Sequence, residues 1–178
     1  TLGGVTDQKD RLIPVLFGEC HNIKPLLEAP STLTYRYSNS ASSGIIEVRD
    51  SGAPITTYTS NTTLGQFTLT AAPVGEITLS AQGVKPAGTY LNSVGQLVQH
   101  IVTTYGPTSS RLAAGDLDTV SLAAFNAANT QPVGYYASER QNVLAVCQEL
   151  AASVGSQVVM TSLGKLRLVK LALPSAGT

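Results

Sequence analysis

Apolar and polar residues alternate in the first half of the chain and fall on helical stripes in the second. Phe67, Leu69 and Ala71 alternate with Thr68 and Thr70, and Ile77, Leu79 and Ala81 alternate with Thr78 and Ser80. A period of two with hydroxyls on the other face is what a half-buried strand requires. Between the two runs, Pro73 presets φ at a first corner and Gly75 can take the positive φ that follows, so the pattern predicts a hairpin. Leu33 to Tyr37 alternates as well, and Gly44 to Val48 runs into the turn signal Arg49, Asp50, Ser51 and Gly52. Leu12 to Gly18 is a further extended candidate, which Pro14 marks as an edge or a strand start. Five or so short strands with frequent turn punctuation predict a small barrel or sandwich.

Beyond the Gly- and Pro-rich stretch from Gly83 to Gly88 the period changes. Val94, Leu97, Val98, Ile101, Val102 and Tyr105 lie on one helical face, with Asn92 or Ser93 as cap and Gly106 and Pro107 as stop. Asp118 can cap a shorter helix over Thr119 to Ala128, with Leu122 and Phe125 buried. Pro132 to Ala137 reads as a strand. Ser138 and Gln141 have the spacing of a capping box opening a helix with Val143, Val146, Cys147, Leu150, Ala151 and Val154 on one face, up to Gly155. Strands over Gln157 to Thr161 and Lys165 to Leu171 follow. The expected fold is α+β: a β-rich domain over 1–86, and an α+β domain over 87–178 in which two main helices cover a small sheet. Thr1 to Asp10 and Ser175 to Thr178 read as linker ends.

Composition narrows the partners. The 178 residues carry 11 basic and 11 acidic side chains, only 12% charged residues and a net charge of zero. Such a chain has no general electrostatic attraction for nucleic acid or an anionic membrane. Surface polarity falls to hydroxyls and amides, including 37 serines and threonines. These are cheaper to desolvate than ions, which suits surfaces packed against other proteins. No apolar run approaches the ~20 residues of a membrane span.

Candidate chemistry is sparse. Cys20 and His21 are adjacent, and on a strand adjacent side chains point to opposite faces, so they cannot act as a dyad there. Cys20, His21, His100 and Cys147 are zinc-ligand types without a second short-spaced pair. His100 sits at the border of a helical stripe. Cys20 and Cys147 read as free thiols. Asp116 and Asp118 are accounted for by a helix start, and Glu47, Arg49 and Asp50 by a strand end or turn. Arg36 between Tyr35 and Tyr37 is the only aromatic–basic interleaving, and the tyrosines share a strand face that suits a core. Lys165, Arg167 and Lys170 do not follow one strand face. Asn61, Thr62 and Thr63 match a glycosylation sequon in a Thr-rich loop. No residue is assigned as catalytic, cofactor-binding or metal-binding, and no cofactor is expected.

Two stretches carry a family resemblance. One comprises Ile13 to Pro25, then Tyr35, Val48 to Gly52 and Phe67 to Gly83; the other comprises Pro132 to Tyr136, the helix ending at Gly155, and the strand, Leu163-Gly164 turn and strand that close the chain. Together, from about Leu12 to Leu171, they resemble a segment of the tail-tip or baseplate hub proteins of long-tailed bacteriophages. The resemblance implies a β-barrel or sandwich next to an α+β unit. It further implies a ring, usually a trimer, at the distal end of the tail tube, joined to fibres and the tape-measure protein. A chain of 178 residues opening on Thr1 is short for such a hub, and a fragment is expected.

The expectation is therefore a non-enzymatic structural component of the virion, made in the host cytoplasm, with other tail proteins and copies of itself as partners. Neither nucleic acid nor a membrane span is expected. The alternatives are a carbohydrate-binding module on a phage tail, which 6% aromatics and no Trp disfavour, and a cell-wall hydrolase domain, which would need Cys20 and His21 or a carboxylate pair to converge.

Overall fold

Alternation in the first half produces strands that each hide one face. The computed structural model describes residues 11–171, and among them twelve strands form four antiparallel sheets accompanied by three α-helices. The chain is α+β, as its periodicities require. The expected linker ends lie outside the described residues. The fold divides into two compact units, 11–92 with 133–140, and 93–132 with 141–171. A division at 86/87 differs from this in two ways: the first unit runs on to Asn92, and 133–140 comes back to it.

In the first unit β1 (Val15–Phe17), β2 (Glu19–Ile23), β3 (Leu26–Ala29), β4 (Thr34–Arg36), β5 (Ser42–Asp50), β6 (Ala53–Ile55), β7 (Tyr58–Asn61), β8 (Gln66–Leu69) and β9 (Ile77–Val84) follow in order. All but β1 build two four-stranded sheets, β2-β9-β5-β6 and β3-β4-β8-β7. Ile23, Val48, Ile77, Leu79 and Ala81 from the first meet Tyr35, Phe67 and Leu69 from the second in one core, which makes the unit a sandwich. Tyr35 and Phe67 are register partners and stack at 5.2 Å between ring centroids. Tyr58 meets Phe67 edge-on at 6.0 Å. Tyr37 is fully buried, and its hydroxyl shares a 2.6 Å hydrogen bond with Ser42 Oγ.

One expectation fails here. The strands around Phe67 and Ile77 do not pair as a hairpin: β8 lies between β4 and β7, and β9 lies between β2 and β5. They face each other across the core, and Thr70 to Glu76 crosses between sheets. The crossing is held by Asp50, whose carboxylate accepts from the amides of Val74 at 2.6 Å and Gly75 at 2.8 Å. Alternation reports that one face is buried and is silent about which strand lies alongside. The hairpin that does form there is β5–β6, where Ser51 and Gly52 both adopt positive φ, 50° and 83°, in a two-residue loop.

The amide bonds, that from Val74 foremost, hold the Asp50 carboxyl below its ordinary range, against a smaller opposing effect of desolvation. A depressed carboxyl contributes stability above its unfolded value of about 3.9 and loses it as pH falls through the folded value. Asp50→Asn is therefore expected to unfold at lower urea than the parent at pH 7. The gap should close in a titration carried below about pH 4; a gap unchanged at acid pH would remove the carboxylate from this account.

In the second unit α1 (Val94–Thr104), α2 (Thr119–Ala128) and α3 (Val143–Ala152) precede the hairpin of β11 (Ser156–Met160) and β12 (Leu166–Lys170). Two helices cover the small sheet, as expected, but the second of them is the shorter-read α2 and not α1. α3 lies on β11, the supposedly minor α2 lies on β12, and α1 packs chiefly on the other two helices. Asp118 caps α2 by accepting from the Ser121 amide at 3.1 Å. The expected capping box at Ser138 is replaced by Asn142, whose Oδ1 accepts from the amides of Leu144 and Ala145 at 2.9 and 3.1 Å. The intervening residues 138–140 belong to the first unit, which leaves Asn142 as the cap nearest the helix. Ser93 occupies the N-cap position of α1, but its hydroxyl donates to Asn126 Oδ1 at 3.1 Å and accepts from no amide of its own helix.

Candidate functional site

The titratable side chains that stand out in the sequence are engaged in holding the fold. Cys20 is half-buried and its thiol points to the Phe17 carbonyl at 3.7 Å, while His21 is exposed and pairs with Glu19 at 3.2 Å. Burial, and secondarily the charge of Glu19, pushes the Cys20 thiol up to about 11, the opposite of what an activated nucleophile needs. Cys147, fully buried on α3 in the second unit, is also pushed up to about 11 by burial, and both cysteines are free. His100 titrates below its ordinary value because of burial and meets Tyr105 edge-on at 6.0 Å. Among the described residues no three His, Cys, Asp or Glu side chains come together as a metal-ligand group, and no helix is long and apolar enough to cross a membrane.

Most of the remaining charged and polar groups are scaffold as well. Arg36 makes a two-pronged pair with Glu28, 2.7 Å from Nε and 3.0 Å from Nη2, and Gln66 donates to the same carboxylate. Both ends are under one-fifth exposed, so this trio ties β3, β4 and β8 together where water screens little. Tyr35 and Tyr37, on either side of Arg36, are in the core and form no platform for a base or a sugar. Arg49 pairs with Glu47 and donates to Asn22, at the bulge in β2. Asp116 Oδ2 accepts from the Ala113 amide at 2.8 Å, just before α2. Asn61 ends β7 and its Oδ1 accepts from the Leu64 amide at 3.2 Å. Lys170 reaches Asn129 Oδ1 at 3.0 Å, whereas Lys165 and Arg167 stay exposed.

A concave site forms in the first unit where no motif announces one. Strand β10 (Tyr135–Ala137) pairs antiparallel with β1, Val15 opposite Ala137 and Phe17 opposite Tyr135. The ladder therefore sends the chain before Val15 and the chain after Ala137 out at the same end. The Tyr136 hydroxyl donates to the Lys24 carbonyl at 2.7 Å and draws in the β2–β3 corner. Arg11, Leu12 and Pro14, then Lys24, Pro25 and Leu26, then Tyr136 and Glu139 with Arg140, enclose a cleft of about 600 Å³. That is the size of an ordinary small-ligand or side-chain pocket. Burial, with the nearby Cys20, pushes the Tyr136 phenol up to about 12, so it remains a neutral donor.

The cleft was invisible in sequence because its cations come from segments more than a hundred residues apart. Only the strand character of Leu12 to Gly18 and Pro132 to Ala137 was legible. No protein-family model, curated protein or solved structure matches the chain.

Proposed function

We propose that this chain is a non-enzymatic structural component of a bacteriophage tail tip or baseplate hub, joining the tail tube to host-attachment proteins. The observation that carries the reading is the architecture: a β-sandwich followed by an α+β unit whose last helix gives way at Gly155 to a hairpin turning at Gly164. This is the succession that the resemblance to tail hubs implies. The engagement of Arg36, Glu28, Asp50, Asp118 and Cys20 in scaffold contacts supports it too, since these groups stabilise the fold. On this reading the partners are tube, tape-measure and fibre proteins together with copies of the chain itself, a trimer being favoured, and the place of work is the virion.

Immunogold labelling of intact tailed virions with antibodies raised against the folded chain tests the proposal. Gold confined to the distal tail end is expected, with rings seen in negative stain when the parent polypeptide is purified. Unlabelled virions, with the antigen recovered only from the soluble host lysate, would overturn it.

A further inference from the structure

Of the six described arginines, Arg167 lies exposed on β12 in the second unit, without a partner among the described residues, and the other five divide into two groups. Arg36, Arg49 and Arg111 are held by Glu28, by Glu47 and Asn22, and by the Gly106 carbonyl. Arg11 and Arg140 have no ionic or hydrogen-bonding partner among the described residues, and both line the cleft beside β10. Lys24 is the third cation there, occupied by Glu76 at 2.7 Å, and Glu139 is the one carboxylate in the lining. In a chain with 12% charged residues, two unanswered guanidiniums at one concavity are a concentrated feature. Guanidinium groups bind carboxylates through two parallel hydrogen bonds, and gain most where apolar walls exclude water.

We propose that this cleft docks an acidic peptide segment of a partner protein, its carboxylate held by Arg11 and Arg140 and a neighbouring aliphatic side chain seated on Leu12, Pro25 and Leu26. The floor distinguishes a peptide from an anionic sugar. Its apolar part is Leu12, Pro14, Pro25 and Leu26, set among the charged groups and Ser138, and its single aromatic, Tyr136, has its hydroxyl committed to the Lys24 carbonyl. Leu26 also opens β3, an edge strand of its sheet, where an extended segment can run alongside. The inference concerns the first unit alone and stands whether or not the chain belongs to a tail.

The test is fluorescence anisotropy with a labelled peptide that alternates glutamate with leucine, alongside its glutamine counterpart and an oligogalacturonate competitor. Saturable binding of the glutamate peptide is expected. Binding should weaken roughly tenfold for the glutamine peptide and for the Arg11→Ala/Arg140→Ala double variant, as loss of two charge-assisted contacts implies. Lys165→Ala, an exposed cation of the second unit, should leave it unchanged. Both arginines are exposed, so the double variant should melt with the parent. Amide shifts at Leu26 and Tyr136 locate the bound peptide. No saturable binding, binding indifferent to the double variant, or tighter arginine-dependent capture of the oligogalacturonate would each overturn the proposal.

Discussion

Gly18→Ala is expected to lower the unfolding free energy by about 3–5 kcal/mol, from a positive-φ penalty and a backbone clash acting together. Gly18 has φ +65°, and a Cβ placed there would lie 1.8 Å from the Val133 carbonyl oxygen and 2.9 Å from Gly134 Cα. The obstructing atoms are main chain, so no rotamer change relieves them, and separating them pulls β10 from β1. Gly18 also accepts the Gly83 amide at 2.7 Å, which ties the same point to β9. Gly44→Ala is the control: a Cβ on that β5 residue meets nothing within 4 Å, and a change within about 0.5 kcal/mol is expected. Urea titrations of the two variants decide the matter. Equal midpoints would show that the close approach at Gly18 yields without cost.

Phe67→Ala is expected to cost about 4 kcal/mol, the range for emptying an aromatic site in a packed core. Phe67 is 1% exposed and sits where Tyr35, Tyr37 and Tyr58 converge, with ring centroids 5.2, 6.4 and 6.0 Å away. It is also the middle of the second sheet, paired to Tyr35 on one side and Ser60 on the other. Phe67→Leu keeps much of the volume and loses the ring contacts, so about 1–2 kcal/mol is expected. With ordinary domains stable by about 5–15 kcal/mol, the alanine variant should unfold well below the parent temperature by circular dichroism. A cost near that of the leucine variant would mean that neighbouring tyrosines refill the site.

Local periodicity marks the helices and the alternating strands, but it leaves β2, β3, β6 and β7 unread and says little about which elements are neighbours. Thr119 to Ala128 is helical over the span that its cap and stripe mark, because Asp118 satisfies the amide end and Leu122 with Phe125 face inward. The turn at Ser51 and Gly52 was readable for the same reason, being settled within four residues. The link through Pro73 reads as a hairpin in sequence because a sheet-crossing connection uses the same turn residues, and what separates the two is Asp50, more than twenty residues upstream. Ser138 has the spacing of a helix start, yet a longer-range pairing, Leu16 with Tyr136, draws that segment into the sandwich unit and leaves capping to Asn142. The cleft shares this origin. Arg11, Lys24 and Arg140 become neighbours only after β10 has docked, and no spacing rule spans that separation.

The return of β10 also orders the molecule's birth. Its partner β1 leaves the ribosome some 120 residues earlier, which at ~5–20 residues per second is roughly 6–24 s during which β1 has no β10 beside it. Closing so long a loop is slow compared with forming α1 and α2, whose contacts are local and emerge in the interval. An uncovered strand on a polysome is a template for the same strand of the next nascent chain. If copies of this chain assemble side by side, the lag offers them their first chance to exchange β10 before each has claimed its own.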